Sequence, residues 1–310
     1  MSLKNKLSYS IICASKNEEK DIIYLLKSFK KIKSDSSELI IIDDSTDNTK
    51  QIVSFFAKKD PRIKLINGKN RGCCEARNFG IKKSKGDIII FMTADSFFSF
   101  DLVKKIHPFY LKGYDAVLLN SKVYNDKNVY ANFIYCNHLR KLEKKTNFKP
   151  LTTQGYSVRK TAAIKVGLIE KGNFKPNICR DWTLVKKMDK KNYKKIFLKN
   201  LSCNHIAPDN FKNFFMTHFT RGQISSGYQF FFLKKNKIKI LLRSFAKLMI
   251  FCLYIGSLLK WLGNNINFLK HSKNKNSNLF KFLFLDFLKQ TAFLFGEIIS
   301  TVKFKKQSHI

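Results

Sequence analysis

The sequence predicts an α/β fold with a mostly parallel central sheet, helices on both faces of that sheet, and a C-terminal region of amphipathic helices that associate with a membrane. In the first hundred residues, short runs rich in isoleucine alternate with segments of helical period. These runs are apolar throughout, which is typical of strands buried on both faces of a parallel sheet. After about residue 210, long apolar stretches flanked by lysine replace the alternation.

The first half of the chain supplies the strands and helices of this sheet. The predicted elements are strands at residues 9–14, 38–43, 62–66 and 87–91 and helices at residues 22–32 and 72–83. The S-x-x-E pattern of residues 15–18 predicts a capping box before the first helix. Residues 45–49 predict the start of a further helix, capped by Ser45 or Thr46.

Residues 114–200 predict a less regular continuation. The predicted elements are a strand at 114–119, a strand, turn and short helix at 152–167, a helix at 180–188 and a strand at 194–198. We therefore expect two domains, an α/β domain with the functional site over residues 1–210 and a basic, apolar, helical region over residues 211–310.

Acids are scarce in the C-terminal region, so its positive charge is almost unopposed. The formal net charge is +37, and from Asn210 onward seventeen Lys or Arg residues accompany only Asp286 and Glu297. Such one-sided charge implies an anionic partner, either nucleic acid or an anionic membrane surface. The charge lies beside apolar helices, without the interleaved basic and aromatic residues of a recognition element. We therefore expect a membrane surface and no nucleic acid.

Two apolar segments in the C-terminal region could contact a membrane. Residues 248–259 are uncharged, and residues 279–301 are apolar with four charged interruptions. A spanning helix needs about 20 mostly apolar residues, and spanning would also translocate the lysines between the segments. We expect helices that lie in or dip into the cytoplasmic leaflet. A soluble helical cap or a dimer contact is the alternative, and the oligomeric state is open.

The cysteines favour a reducing compartment. Their number is seven, and no C-x-x-C pair occurs, so neither a disulfide framework nor a zinc site is expected. The N-terminal apolar stretch is too short for a signal peptide. With the membrane expectation, these features predict a location at the cytoplasmic face of the plasma membrane.

Four polar residues follow predicted strands: Asn17, Asp43, Asp44 and Asp95. In parallel sheets, ligands bind beyond the carboxyl ends of the strands. A carboxylate there suits Mg²⁺ or Mn²⁺, which takes few protein ligands when substrate phosphates supply the rest. Each acid could instead form a turn or cap a helix.

An ordered set of motifs resembles the family 2 glycosyltransferases of the GT-A fold, which include enzymes of bacterial surface polysaccharides. The motifs are a strand with S-x-N-E, a strand with D-D-S-T-D-N-T, then N-R-G-x-x-x-A-R-N-x-G, then G-D-I-I-I-F-M-T-A-D-S. The resemblance extends from residue 8 to about residue 205. It implies a Rossmann-like sheet, a nucleoside-diphosphate-sugar donor, a divalent cation (Mg²⁺ or Mn²⁺) and a lipid-linked or polysaccharide acceptor.

The resemblance also assigns roles to residues. It implies that Asp43 and Asp44 bind the base and ribose of the donor. Ala14, Lys16 and Glu18 would line the same pocket, and Arg77 and Asn78 would lie in the helix beside it. Asp95 matches the last acid of the D-x-D motif, which ligates the metal that bridges the two phosphates. Asp181 matches the general base, and Gly155 and Tyr156 match the segment that flanks the acceptor.

Two positions depart from the family pattern. Thr93 replaces the first acid of D-x-D, although a hydroxyl can still contact ribose or a metal-bound water. Arg180 stands where the family usually has Glu, and it would lower the pKa of Asp181 if the two pair. Asp181 could also be an acid favoured at a helix N-terminus by the dipole. The departures leave open a degenerate, membrane-bound partner subunit.

Two later residues resemble the C-terminal His and basic element of membrane-working relatives, which reach the diphosphate or the acceptor. We expect His205 to be a second metal ligand and Arg221 to contact the donor, since a guanidinium binds phosphate well. Each could instead be structural. The resulting expectation is an inverting sugar transfer in which Asp181 deprotonates the acceptor hydroxyl. A sugar nucleotidyltransferase is disfavoured, because no G-x-G-x-R loop follows the first strand.

Overall fold

The computed structural model describes residues 7–34, 36–143, 154–170, 182–256, 261–263, 266, 269–272 and 275–304. The chain divides into two compact units. The first unit contains the described residues up to Tyr124, together with 154–170 and 182–206. The second contains the described residues from Asn125 to 143 and from Ala207 onward.

The first unit is built on an eight-stranded mixed sheet. Its strands are β1 Tyr9–Ser15, β2 Ser37–Asp43, β3 Ile63–Asn67, β4 Ile88–Thr93, β5 Ser96–Phe97, β6 Ala116–Val123, β7 Ser157–Arg159 and β8 Lys195–His205. Its helices are α1 Ile22–Lys30, α2 Thr49–Lys59, α3 Cys73–Lys83, α4 Leu102–Leu111, α6 Lys160–Lys165 and α7 Trp182–Lys190. The α/β class predicted from the sequence is confirmed.

The strand order is β3-β2-β1-β4-β7-β6-β8-β5. β1 pairs in parallel with β2 and β4, and β2 pairs in parallel with β3. The short strand β7 is antiparallel to both β4 and β6, and β5 is antiparallel to β8. The parallel prediction therefore holds for the first four strands, and the sheet extends beyond them through antiparallel pairs and one parallel pair, β6 with β8.

Each face of the sheet carries its own apolar core. Alternate side chains of a strand point to opposite faces. Ile11 of β1 therefore packs with α1 and α4, while Ile12 packs with α3 and α7 on the other face. Both isoleucines are fully buried, and each such side chain stabilises the fold by about 1.5–3 kcal/mol relative to an exposed one.

The predicted capping box at residues 15–18 is wrong. Ser15 is the last residue of β1, and α1 begins seven positions later at Ile22. The Ser15 hydroxyl donates to Asp43 Oδ1 at 2.7 Å, so it joins two neighbouring strand ends instead of a helix terminus.

The cap predicted for the next helix is also wrong. α2 begins at Thr49, too far along the chain for Ser45 or Thr46 to cap it. Asp47 Oδ1 accepts hydrogen bonds from the Thr49 backbone N–H at 3.0 Å and from its hydroxyl at 2.6 Å. The acid that follows the predicted capping residues therefore orders the first turn.

The second unit is helical in its described residues. Its helices are α5 Val129–Glu143, α8 Phe211–Gly227, a π-helical turn Tyr228–Phe232, α9 Lys237–Gly256 and α10 Lys275–Lys303. Among the described helices, none combines the length and the apolar character needed to cross a membrane.

Two glycines bring α8 and α10 into backbone contact. A Cβ atom on Gly222 would overlap the carbonyl oxygen of Phe293 and lie 2.9 Å from the backbone nitrogen of Glu297. A Cβ atom on Gly296 would overlap the carbonyl oxygen of Phe219. The two helices can cross this closely only because both positions lack a side chain.

A buried carboxylate lies beside this crossing. Glu297 is fully buried, and its carboxylate accepts hydrogen bonds from Lys247 Nζ at 2.8 and 2.7 Å. The hydroxyls of Ser225 and Ser244 donate to it at 2.7 and 3.2 Å. Every partner of this carboxylate is a hydrogen-bond donor. Removing Lys247 would leave a buried carboxylate without its cationic partner, which is strongly destabilising.

We expect Gly222→Ala to destabilise the protein by about 1–3 kcal/mol, because the added methyl group overpacks the helix crossing. Intrinsic helix propensity alone would favour alanine by about 1 kcal/mol, so the sign of the change separates the two effects. Thermal unfolding measures it. Gly263→Ala is the matched control, since a Cβ atom there meets nothing within 4 Å. An unchanged or higher Tm for Gly222→Ala contradicts the close crossing.

Candidate functional site

The carboxyl ends of β1, β2 and β4 meet at one edge of the sheet. Ser15 lies opposite Asp43, and Ala14 lies opposite Thr93. Asp44 follows β2 directly, and its backbone N–H donates to the Ser15 carbonyl at 3.0 Å. Parallel register therefore brings strand-end residues that are distant in sequence to a common edge, where ligands of α/β sheets bind.

The loops after β1 and β2 hold each other in place. Asn17 Oδ1 accepts from the Thr46 backbone N–H at 2.9 Å, and the Asn17 N–H donates to the Ser45 hydroxyl at 2.8 Å. The Glu18 N–H donates to the Thr49 hydroxyl at 2.8 Å. Asn17 has a φ of +57°, a left-handed conformation that asparagine tolerates. The loop that presents the exposed Lys16 is thus fixed by its neighbour.

Asp43 is a structural acceptor at this edge. Its carboxylate is buried and accepts from the hydroxyls of Ser15 and Ser45 at 2.7 and 2.6 Å. The Ser45 backbone N–H donates to the second carboxylate oxygen at 3.3 Å. Hydrogen bonds to a charged group contribute about 1.5–3 kcal/mol each, so Asp43 anchors both loops.

Asp44 is more accessible than its neighbour. Its side chain is half-buried, and one oxygen accepts from the Asn70 backbone N–H at 2.8 Å. The carboxylate packs directly over Gly68, where a Cβ atom would lie 2.6 Å from Oδ2. Glycine at this position therefore leaves room for a carboxylate that faces the loop edge.

Asp95 and His205 form a pair at the same end of the sheet. Asp95 follows β4, and His205 ends β8, where it pairs with Ser96. His205 Nε2 lies 3.0 Å from Asp95 Oδ2. Burial opposes ionisation of Asp95, but His205 and the hydroxyls of Thr93 and Ser96 outweigh it and hold its pKa below the usual range. Asp95 is therefore ionised at neutral pH.

Thr93 belongs to a hydroxyl network beneath this pair. Its hydroxyl hydrogen-bonds the hydroxyl of Ser96 and accepts from Gln154 Nε2 at 3.2 Å. The other end of the Gln154 amide accepts from the Ser121 hydroxyl at 3.1 Å. The sequence analysis did not identify Gln154 as a residue of the site. Its position directly before Gly155, a predicted site residue, was the available indication.

Glu18 holds a proton in this surrounding. Burial, then the nearby charges of Asp95, Asp21 and Asp47, raises the pKa of Glu18 to about 8. At neutral pH its carboxyl is therefore mostly neutral and can donate a hydrogen bond. Glu18 therefore differs from Asp95, whose pKa is lowered and which stays charged.

The Asp95–His205 pair fits a divalent cation. Within the described residues there is no cluster of three or more His, Cys, Asp or Glu side chains that could hold a metal ion. Mg²⁺ and Mn²⁺ at nucleotide phosphates need only one or two protein ligands, and adjacent ligands about 2.1 Å from an octahedral ion lie about 3.0 Å apart. The observed separation of 3.0 Å between Oδ2 and Nε2 matches that value.

Arg77 and Asn78 lie inside the first unit. Arg77 is 2% exposed, and its guanidinium carbon is 5.9 Å from the ring centre of Phe91. Asn78 Nδ2 donates to the Ile169 carbonyl at 2.8 Å, and Asn78 Oδ1 accepts from the Ile169 N–H at 3.0 Å. Both ends of that amide therefore bind α3 to the turn after α6.

Gly155 and Tyr156 lie in the core. Gly155 has a φ of +72°, and a Cβ atom there would lie 2.6 Å from Cys203 Sγ. The Tyr156 ring stacks on Phe91 with centroids 6.0 Å apart, and its hydroxyl lies 3.0 Å from Met188 Sδ. The structure places the Tyr156 side chain, which is 1% exposed, between the sheet and α7 rather than at its edge.

The structure does not test the predicted roles of Asp181 and Arg221. Asp181, with Arg180 before it, lies outside the described residues. Arg221 is an exposed residue of α8 in the second unit. Their roles stay predictions from the resemblance.

A parallel sheet with acids at its carboxyl edge, extended by antiparallel strands, defines a GT-A-type glycosyltransferase fold. The family model described as "Glycosyl transferase family 2" matches residues 10–172, more than half of the chain. The chain therefore belongs to glycosyltransferase family 2.

Known relatives and structures agree with this assignment. An uncharacterized glycosyltransferase of Haemophilus influenzae is 40% identical over 79 residues, which is 25% of this chain and 32% of that protein. A mannosyltransferase from Pyrobaculum calidifontis, solved with GDP-Man and Mn²⁺, has a TM-score of 0.58 at 18% identity, covering 74% of this chain and 65% of that one.

Glucosyl-3-phosphoglycerate synthase from Mycobacterium tuberculosis, solved with Mn²⁺, UDP and glucosyl-3-phosphoglycerate, has a TM-score of 0.50 at 17% identity. It covers 73% of this chain and 80% of that one. At these identities the structural likeness shows the fold. The chain spans about a third of the length of the Haemophilus relative.

Proposed function

We propose that the protein is an inverting, cation-dependent glycosyltransferase that moves a sugar from a nucleoside-diphosphate-sugar to a hydroxyl of a lipid-linked or polysaccharide acceptor. The observation that carries the proposal is the ionised Asp95 facing His205 at the carboxyl edge of a family 2 sheet, at 3.0 Å. Fold relatives solved with GDP-Man or UDP together with Mn²⁺ support the donor class.

The donor would lie across the loops after β1 and β2. Asp44 would accept hydrogen bonds from the N–H groups of the base, since a carboxylate is a strong acceptor. Asp43 would act through the loops that it anchors. Glu18, whose pKa is raised to about 8, would donate a hydrogen bond without adding repulsion towards the phosphates. The Ala14 backbone and Lys16 would line the same pocket.

Asp95 and His205 would hold Mg²⁺ or Mn²⁺ beside the diphosphate. When bound, the cation supplies positive charge that offsets the negative charge growing on the leaving nucleoside diphosphate. Thr93 supports the pair through its hydroxyl network, so a carboxylate is not required at that position. Asp181 would accept the proton of the acceptor hydroxyl as its oxygen attacks the anomeric carbon, which inverts the configuration.

A degenerate partner subunit is the second candidate, and Thr93 in place of the usual acid favours it. Such a subunit would bind the donor but transfer no sugar. The two measurements that follow separate these candidates, because one reports donor binding and the other reports turnover.

We expect UDP or GDP to raise the Tm by several degrees when Mn²⁺ is present, since a ligand at 100 times its Kd stabilises by about 2.7 kcal/mol. Asp95→Asn should remove the Mn²⁺-dependent part of that rise. Asp189→Asn is the matched control, because Asp189 is an exposed acid at the end of α7. A Mn²⁺-dependent shift of equal size in Asp95→Asn would falsify the assigned cation site.

Asp181→Asn should lower sugar transfer by about 10²–10⁴-fold, the usual contribution of a positioned general base. The nucleotide-induced Tm rise should stay, because the substitution leaves the donor loops unchanged. Transfer is measured with a radiolabelled donor and a membrane extract as acceptor source. Wild-type turnover in this variant would remove Asp181 from the mechanism.

We also propose that α9 lies on an anionic lipid surface, at the cytoplasmic face of the plasma membrane. Five of the six large apolar side chains of α9 that the structure describes as exposed follow a helical spacing on one face: Ile238, Leu242, Phe245, Met249 and Leu253. The sixth is Ile250. Leu253 is 72% exposed. Lysines at 234, 235 and 239 lie at the start of the helix and are exposed. Apolar residues beside basic ones favour an anionic interface.

The triple substitution Leu242→Asp, Met249→Asp and Leu253→Asp should reduce co-sedimentation with vesicles containing phosphatidylserine at least tenfold, because each apolar side chain contributes about 1.5–3 kcal/mol on burial. Phe55→Asp on α2 is the control, since Phe55 is 55% exposed in the first unit. The alternative occupant of this face is a second copy of the chain, and light scattering without lipid tests it by measuring the oligomeric state. If the triple substitution converts a dimer into a monomer, a second copy covers this face.

A further inference from the structure

A groove of about 540 Å³ opens in the first unit at the outer strands of the sheet. It is lined by α1, by the segment that follows β5, and by β8. Leu119 pairs with Leu198, whereas Asn120 pairs with Ser202, so residues 199–201 of β8 bulge out of the sheet. Such bulges often re-aim side chains next to functional sites, and here residues of the bulge line the groove.

A row of three paired residues forms one part of the groove. Lys122 of β6 pairs with Asn204 of β8, which pairs with Phe97 of β5. Directly paired residues point to the same face of a sheet. His205 is the next residue along β8 and points to the opposite face. The groove and the candidate cation pair therefore lie on opposite faces of the sheet at β5 and β8.

The groove is basic. Lys27 of α1 and Lys31, which directly follows α1, are four residues apart and line the same groove, and Lys122 lies on the sheet. All three are exposed, and within the described residues none of them forms an ion pair. None of the described residues that line the groove is an acid. A fourth lining lysine, Lys105, is paired with Asp101 at 2.7 Å, so three of the four lysines at the groove have no carboxylate partner among the described residues.

Aromatic rings and small polar groups complete the lining. Tyr24 stacks on Phe97 with ring centroids 5.6 Å apart, and Tyr24 remains 39% exposed. Phe100 is 65% exposed at the same groove. Asn200 and Asn204 add amide donors and acceptors. Apolar and aromatic walls with a few polar groups are typical of small-molecule sites of about 300–1,000 Å³.

We propose that this groove binds an anionic saccharide, a sugar chain that carries phosphate or carboxylate groups. Tyr24 and Phe100 offer ring faces to the apolar faces of sugars, the asparagines bond hydroxyls, and the three lysines pair with the anionic groups. The role of the ligand as a remote part of the acceptor rests on the proposed glycosyltransferase function. Binding itself is independent of that function, because the groove and the cation pair lie on opposite faces.

Calorimetric titration of the full chain tests the proposal. The probes are oligogalacturonate, which carries carboxylates, a mannose oligosaccharide phosphorylated at position 6, and a neutral maltooligosaccharide of equal length. The test variant is Lys27→Gln, Lys31→Gln and Lys122→Gln together. Its matched control is Lys58→Gln, Lys82→Gln and Lys190→Gln, which removes the same charge from exposed lysines outside the groove.

We expect at least one anionic probe to bind at least tenfold more tightly than the neutral one. The groove variant should lose at least tenfold in that affinity, and the control variant should stay within about twofold. Tyr24→Ala should also weaken binding, whereas Phe55→Ala, an exposed aromatic outside the groove, should not. The stronger of the two anionic probes identifies the substituent as phosphate or carboxylate.

Equal losses in both lysine variants, or equal binding of the neutral probe, would overturn the proposal. A groove variant that loses affinity only for anionic vesicles or for an oligonucleotide would overturn it too and assign the groove to that partner. The nucleotide-induced Tm rise is measured in the same variants. Its absence in the wild type counts against the proposed function alone, because the saccharide titration does not require a donor.

Discussion

The buried carboxylate of Asp43 holds together the edge on which the candidate site depends. It accepts hydrogen bonds from Ser15 on the neighbouring strand and from Ser45 in its own loop. The two loops then bond each other through Asn17 and Glu18. The strand pairing and these hydrogen bonds together fix the position of the loop that carries Asp44. A preorganised site of this kind loses little free energy on binding a ligand.

The acids at this edge divide into charged and neutral groups. His205 and two hydroxyls lower the pKa of Asp95 and keep it ionised despite its burial. Burial and neighbouring acids raise the pKa of Glu18 instead, so Glu18 holds a proton. Environments that push the pKa values of neighbouring acids apart are a feature of functional sites. Asp95 is therefore a charged acid, in a chain with a net charge of +37, at the position where we propose that a cation binds.

The sequence predicted β1, β2 and β4 well because each is a nearly continuous apolar run whose signal is local, whereas β5 was missed and β8 was predicted only as far as residue 198. Helix starts failed at Ser15 and Ser45, since their hydroxyls are used by Asp43, which belongs to tertiary structure. The approach of Asp95 to His205, 110 residues apart, followed only from the family resemblance. Tyr156 was expected to flank the acceptor, and the structure packs its side chain between the sheet and α7; its mostly polar sequence neighbours give no sign of that burial.

The second unit has an apolar core around Phe133, Phe214 and Phe282, yet it also buries a carboxylate and exposes apolar side chains on α9. Glu297 is fully buried with Lys247 and two serines, and Gly222 and Gly296 let helices touch. On α9, Leu253 and Ile250 are 72% and 65% exposed. In water this exposure is unfavourable, because exposing apolar surface costs about 25 cal/mol per Å². An apolar helix face beside basic residues is what an anionic lipid interface accommodates, so the lipid proposal for α9 accounts for the exposed face of this helix.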